Sequence, residues 1–145
     1  MKILIALISG LFFAHAVNAA EPAEVVTVYK SPTCGCCNGW VDYLRENGFE
    51  VKAQNTDNLT DLKAKLGLTD KKLMSCHTAI IGGYIIEGHV PVKDIRRLLR
   101  ERPDIAGVTA PGMPQFSPGM RSIEPKGYDV LSFDADGNTD LFSRY

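Results

Sequence analysis

Three cysteines within four positions, Cys34, Cys36 and Cys37, concentrate sulfur at one point of the chain, and a fourth, Cys76, is followed directly by His77. A thiolate is both a nucleophile and a soft-metal ligand. Cys34 and Cys37 are spaced Cys-x-x-Cys, which suits reversible disulfide chemistry. Cys34 and Cys36 are spaced Cys-x-Cys, which suits chelation across a turn, and Gly35 lets the loop bend tightly between them. Four sulfurs and one imidazole make a ligand set for copper as Cu(I), with zinc as the competitor. That much sulfur in one place also allows more than one Cu(I) ion to share bridging thiolates. Two structural disulfides are the plainer use of four cysteines. Adjacent Cys36 and Cys37 can hardly bond each other, however, and a stapling framework would spread its cysteines along the chain. Metal binding requires reduced thiols, so the cluster is expected to pass between disulfide and metal-bound forms.

Other residues are weaker candidates. His89, in Glu87-Gly88-His89, reads first as a surface histidine and second as a ligand. Met113 and Met120 are thioethers of the kind Cu(I) accepts, but flexible methionines more simply pack a long loop against a domain. Trp40 and Tyr43 suit packing in the core or near the site. Asp134, Asp136, Asn138 and Asp140 resemble a calcium loop without its bidentate glutamate, and read as a hairpin turn.

These side chains need elements to hold them. Val25 to Tyr29 is β-branched and aromatic and reads as a buried strand. Ser31-Pro32-Thr33 breaks it, and a helix is expected from about Cys36 to Asn47, stopped by Gly48. Cysteines at that strand-to-helix junction face unpaired N–H groups that favour a thiolate. Phe49 to Asn55 suits a second strand, and Asn58 or Thr60 would cap a helix ended by Gly67. Thr78 to Ile81 and Tyr84 to Ile86 flank Gly82-Gly83 as a hairpin, and Pro91 opens a third helix closed by Pro103. The order strand-helix-strand-helix-strand-strand-helix is that of an α/β, thioredoxin-like fold. In that fold the segment before the third strand lies beside the first motif. Redox members carry a cis-proline there, and here Cys76 and His77 take its place. Residues 106–126 are rich in Gly and Pro and read as an irregular loop, followed by a C-terminal β-hairpin from Tyr128 to Phe133 and Thr139 to Phe142.

The first nineteen residues read as a secretory signal peptide: Lys2, an apolar run from Ile3 to Val17, then Val17-Asn18-Ala19. The run is short for a membrane span, which needs about 20 apolar residues. Residues 20–145 are then one exported domain, with an extension from about residue 106 and no membrane span. With 16 Lys plus Arg against 17 Asp plus Glu and no dense basic run, nothing points to nucleic acid.

Tyr29-Lys30-Ser31-Pro32-Thr33-Cys34-Gly35-Cys36-Cys37, Met74-Ser75-Cys76-His77-Thr78-Ala79, Glu87-Gly88-His89-Val90-Pro91, Gly112-Met113-Pro114 and Ser117-Pro118-Gly119-Met120 together resemble the CopG-type family of small periplasmic proteins. The resemblance runs from about Val25 to Met120. It implies a thioredoxin-like fold, a periplasmic location, a link to copper resistance, and Cys34, Cys36, Cys37 and Cys76 as copper thiolates, with His77 adjacent. The expected function is copper binding in resistance or homeostasis, with other periplasmic copper-handling proteins as partners. The alternative is an oxidoreductase acting on copper or on thiols through Cys34 and Cys37. A third reading is a disulfide-stapled domain used for protein binding.

Overall fold

The computed structural model describes residues 24–121 and 124–145, so the expected signal peptide lies outside the described residues. The first part of the chain follows the order read from the sequence: β1 (Val25–Lys30), α1 (Gly35–Glu46), β2 (Glu50–Asn55), α2 (Leu59–Lys65), β3 (His77–Ile81), β4 (Tyr84–Gly88) and α3 (Val92–Glu101). A single 3-10 turn, Lys71–Leu73, leads into β3. Three further strands follow: β5 (Gly107–Ala110), β6 (Asp129–Phe133) and β7 (Thr139–Arg144).

All seven strands form one sheet in the order β2-β1-β3-β4-β5-β6-β7. β1 runs parallel to β2 and β4 runs parallel to β5, each pair joined through a helix, while the other neighbours are antiparallel. β5 corrects the reading of residues 106–126 as wholly irregular. Gly107-Val108-Thr109-Ala110 is too short to show a pattern, and it is a strand because β4 and β6 flank it on both sides. The C-terminal hairpin is present, and it continues the same sheet. Asp94 on α3, almost fully buried, accepts hydrogen bonds from Ser143 Oγ and from Tyr145 Oη (2.8 Å), which fasten β7 to the helix.

Alternation along the strands divides the core. On one face Val26, Val28, Ala79, Ile81, Ile86, Val108 and Val130 pack under Trp40, Val41 and Leu44 of α1 and Ile95 and Leu98 of α3. On the other face a smaller cluster gathers Leu68, Leu73, Ile85 and Phe133. Pro91 stands at the start of α3 as its N-cap, where its extended backbone turns the chain into the helix. Asn58, of the two candidates, caps α2 by accepting from Asp61 N. The Asp134 to Asp140 run is a hairpin turn. The Asp134 carboxylate accepts from Asp136 N, Asn138 N and Asn138 Nδ2 at 2.8 to 2.9 Å, using its oxygens on the turn itself. Among the described residues no helix is long and apolar enough to cross a membrane.

Candidate metal centre

The three clustered cysteines sit where β1 gives way to α1. Cys34 is the N-cap of α1 in extended backbone, and its Sγ accepts from Cys37 N at 3.3 Å. The sulfur thus occupies the place an oxygen takes in an ordinary cap, at the positive end of the helix. Cys36 and Cys37 follow in the first turn, Cys37 fully buried and Cys36 half-buried. Cys34 and Cys37 are joined as a disulfide with Cα atoms 5.3 Å apart, while Cys36 and Cys76 are free thiols.

Cys76 arrives from the segment before β3. Its Sγ lies 3.5 Å from Cys37 Sγ and 3.9 Å from Cys36 Sγ, and Cys36 Sγ lies 3.5 Å from Cys34 Sγ. All four sulfurs therefore fall within 4.8 Å of one another, as the element order required. Cys76 also joins a second group. Its Sγ is 3.5 Å from His77 Nδ1 and 3.3 Å from His89 Nε2.

His89 is the main correction to the site. It is fully buried, not at the surface, because Gly88 ends β4 with a positive φ of 73° and turns the chain inward. Its Nδ1 bonds the Pro118 carbonyl at 2.7 Å. A carbonyl only accepts, so Nδ1 carries the proton and Nε2 presents its lone pair toward Cys76. Metal-ligating histidines are oriented by this kind of second hydrogen bond. His77 is also fully buried, its ring tilted against that of Trp40 with centroids 4.5 Å apart and edge-on to His89, and its Nε2 has no hydrogen-bond partner. Trp40 itself is fixed by donating Nε1–H to the Val90 carbonyl at 3.0 Å, and Tyr43 Oη accepts from Val92 N. Both are packing residues beside the site. Met113 is 59% exposed, contrary to a packing role, and Met120 lines an open cleft with Asp42, Tyr43 and Glu46.

Burial sets the protonation of these groups. It holds His77 well below the usual histidine value of 6.5, with His89 and Lys63 adding to the effect, and it lowers His89 as well. Both rings are neutral at neutral pH, the form in which imidazole can ligate a metal. Burial, reinforced by Cys36, pushes the Cys76 thiol up to about 11, so a metal entering here must displace its proton. The sign for stability follows from the depressed histidines. The unfolded chain binds protons at both positions before the folded chain does, so their contribution is full above about pH 7 and is lost progressively as pH falls from the ordinary value down through the lower folded ones. NMR titration of the two rings checks the premise. His77 is expected to show neutral-form shifts at about pH 6, where an ordinary histidine is mostly protonated, and His89 to titrate below an ordinary histidine; a protonated His77 there would contradict it.

One set of supporting residues escaped the sequence reading. Lys63 of α2, Thr78 of β3 and Glu87 of β4 are buried together on the sheet face opposite His77. A charged pair at such spacing, far apart along the chain, leaves no local signal. Glu87 preceding His89 only hinted at it.

A family described as "Protein of unknown function, DUF411" matches residues 73–120, which hold Cys76, His77 and His89. No curated protein sequence matches the chain. Two solved structures, described as "Copper resistance protein copG- Form 2" and "Copper resistance protein copG- Form 1", superpose with a TM-score of 0.78 at 36% identity. The match covers 86% of this chain and 99% and 98% of theirs. With that identity over nearly their full length, the chain belongs to the CopG family.

Proposed function

We propose that this protein is a periplasmic copper-binding protein of copper resistance, holding Cu(I) through Cys34, Cys36, Cys37 and Cys76 once the disulfide is reduced. The observation that carries the reading is the shared position of Cys76. It touches the other sulfurs on one side and two buried neutral imidazoles on the other. Soft thiolates select Cu(I) over harder divalent ions, and imidazole suits copper and zinc alike. The neighbours' description as copper resistance proteins favours copper of the two. Four sulfurs in mutual contact leave room for bridging, so more than one ion per chain is expected. Titration of the reduced mature protein with Cu(I), followed by native mass spectrometry against a competing chelator, tests this. Retention of one or more Cu(I) ions is expected, and loss of all copper to a chelator of moderate affinity would sink the reading.

A second reading rests on the Cys34–Cys37 disulfide lying against a free thiol. Two thiolates in this site can reduce two Cu(II) ions to Cu(I), giving up one electron each and closing as a disulfide. The absence of proline at Cys76 removes the usual means of presenting an extended protein substrate, so copper rather than a protein disulfide is the favoured oxidant. A Cu(II) reduction assay with free-thiol counting tests it: two thiols lost per two Cu(I) formed is expected, and copper reduction without thiol loss would exclude it.

A further inference from the structure

Cys76 is delivered by a segment that has neither helix nor strand of its own, between the turn at Lys71–Leu73 and β3. Something must hold it against the helix that carries the other three sulfurs. The buried ion pair beneath it is suited to the task.

Glu87 is fully buried and its carboxylate is completely engaged. One oxygen, Oε1, accepts from the Ser75 backbone N–H and from the Lys63 ammonium; the other, Oε2, accepts from Thr78 Oγ1 at 2.6 Å. Lys63 also donates to Thr78 Oγ1 at 2.8 Å. The residues gripped, Ser75 and Thr78, bracket Cys76 and His77. Ser75 is pinned a second time by its hydroxyl, which donates to the Gly112 carbonyl, within a short parallel bridge between the two residues. Gly88 makes the close approach possible, because a Cβ there would lie 2.6 Å from the Ser75 side chain.

A buried ion pair is poor value as a source of stability, since apolar residues of similar volume often do as well or better. The arrangement of these bonds is informative where their energy is not. We infer that Lys63, Glu87 and Thr78 form a clamp that positions Cys76, and with it His77, for the metal site on the opposite face of the sheet. They are positioning residues, since none of them touches the sulfur or imidazole groups. The inference rests on the reading of this cluster as a metal site, but its test includes a measurement made without metal.

Three variants separate the roles: Glu87→Ala, which opens the clamp; Thr78→Val, which removes both bonds of the Thr78 hydroxyl at nearly constant shape but leaves Glu87 bound to Ser75 N and Lys63; and the double variant Lys63→Met with Glu87→Gln, which keeps an acceptor for Ser75 N without any buried charge. The first measurement is the alkylation rate of Cys76 relative to Cys36 in the metal-free, disulfide-intact protein. Glu87→Ala is expected to raise that ratio severalfold, Thr78→Val less, and the double variant is expected to return it toward the wild-type value. The second is Cu(I) affinity after reduction. Glu87→Ala is expected to weaken it by about 10- to 100-fold, the range for outer-shell partners of metal ligands, with partial rescue in the double variant. An unchanged Cys76 to Cys36 ratio in folded Glu87→Ala would overturn the clamp. If that variant does not fold, an unchanged ratio in Thr78→Val would do so. Failure of the wild-type protein to hold copper would strike the proposed function, while the alkylation ratio would still decide the clamp.

Discussion

Replacing Cys76 by serine is expected to cost more copper affinity than any other single change at the site, by more than about 100-fold, beyond what loss of an outer-shell partner alone does. The reason is geometric. Cys76 Sγ is within 4 Å of Cys36, Cys37, His77 and His89, whereas Cys36 Sγ contacts only Cys34 and Cys76 among these groups. Serine has nearly the same shape but offers a hard oxygen to a soft ion. The cluster then falls into two pieces, a Cys34-Cys36-Cys37 group at the start of α1 and a histidine pair at the start of β3 and just past the end of β4. Cys36→Ser is expected to lower affinity and stoichiometry by less. Chelator competition under reducing conditions ranks the two, and wild-type copper retention by Cys76→Ser would refute the proposed site. A control is built in: the air-isolated variant should keep the Cys34–Cys37 disulfide and show one free thiol where the wild type shows two.

Gly119→Ala is the second large expectation, this time in stability. Residues 114–120 fold back over α1, and the approach is so close that glycine stands on both sides. A Cβ at Gly39 would lie 2.7 Å from the Gly119 carbonyl oxygen, and one at Gly119 would lie 2.7 Å from Trp40 Cα. Gly119 also has φ of 83°, a conformation that costs other residues about 1–2 kcal/mol. Backbone cannot yield as a flexible side chain can, so overpacking adds a penalty that is typically about 1–3 kcal/mol. The variant is expected to lose about 3 kcal/mol or to detach the loop, and urea unfolding distinguishes these from no effect. The consequence reaches the site, because the neighbouring Pro118 carbonyl holds the His89 tautomer. The His89 ring of the variant should lose its single-tautomer NMR signature. A variant with wild-type stability and an unchanged tautomer would show that the loop does not lock the histidine.

How much of this was readable beforehand depends on whether a feature is local. The cysteine spacing lies within four residues, and the β-branched run of β1, the Gly48 stop and the Gly82-Gly83 turn are each contained in a few positions. Such signals survive in one dimension. The order of elements then implied that Cys76 would face the first motif, and its sulfur is 3.5 Å from Cys37. β5 could not be read that way, since four residues become a strand only through neighbours on both sides.

The sulfur cluster is where the two kinds of information separate. Residue type and spacing alone determined that three cysteines sit at a helix start and that their chemistry is that of soft metals and disulfides. Tertiary structure decided the rest of the site. It buried His89 and aimed its lone pair at Cys76, left Met113 in solvent and set a buried Lys63–Glu87 pair beneath the loop that carries Cys76. Each of these depends on which face of the sheet a residue occupies and what lies across it. Those relations join residues from separate strands and helices, and no window of sequence contains them.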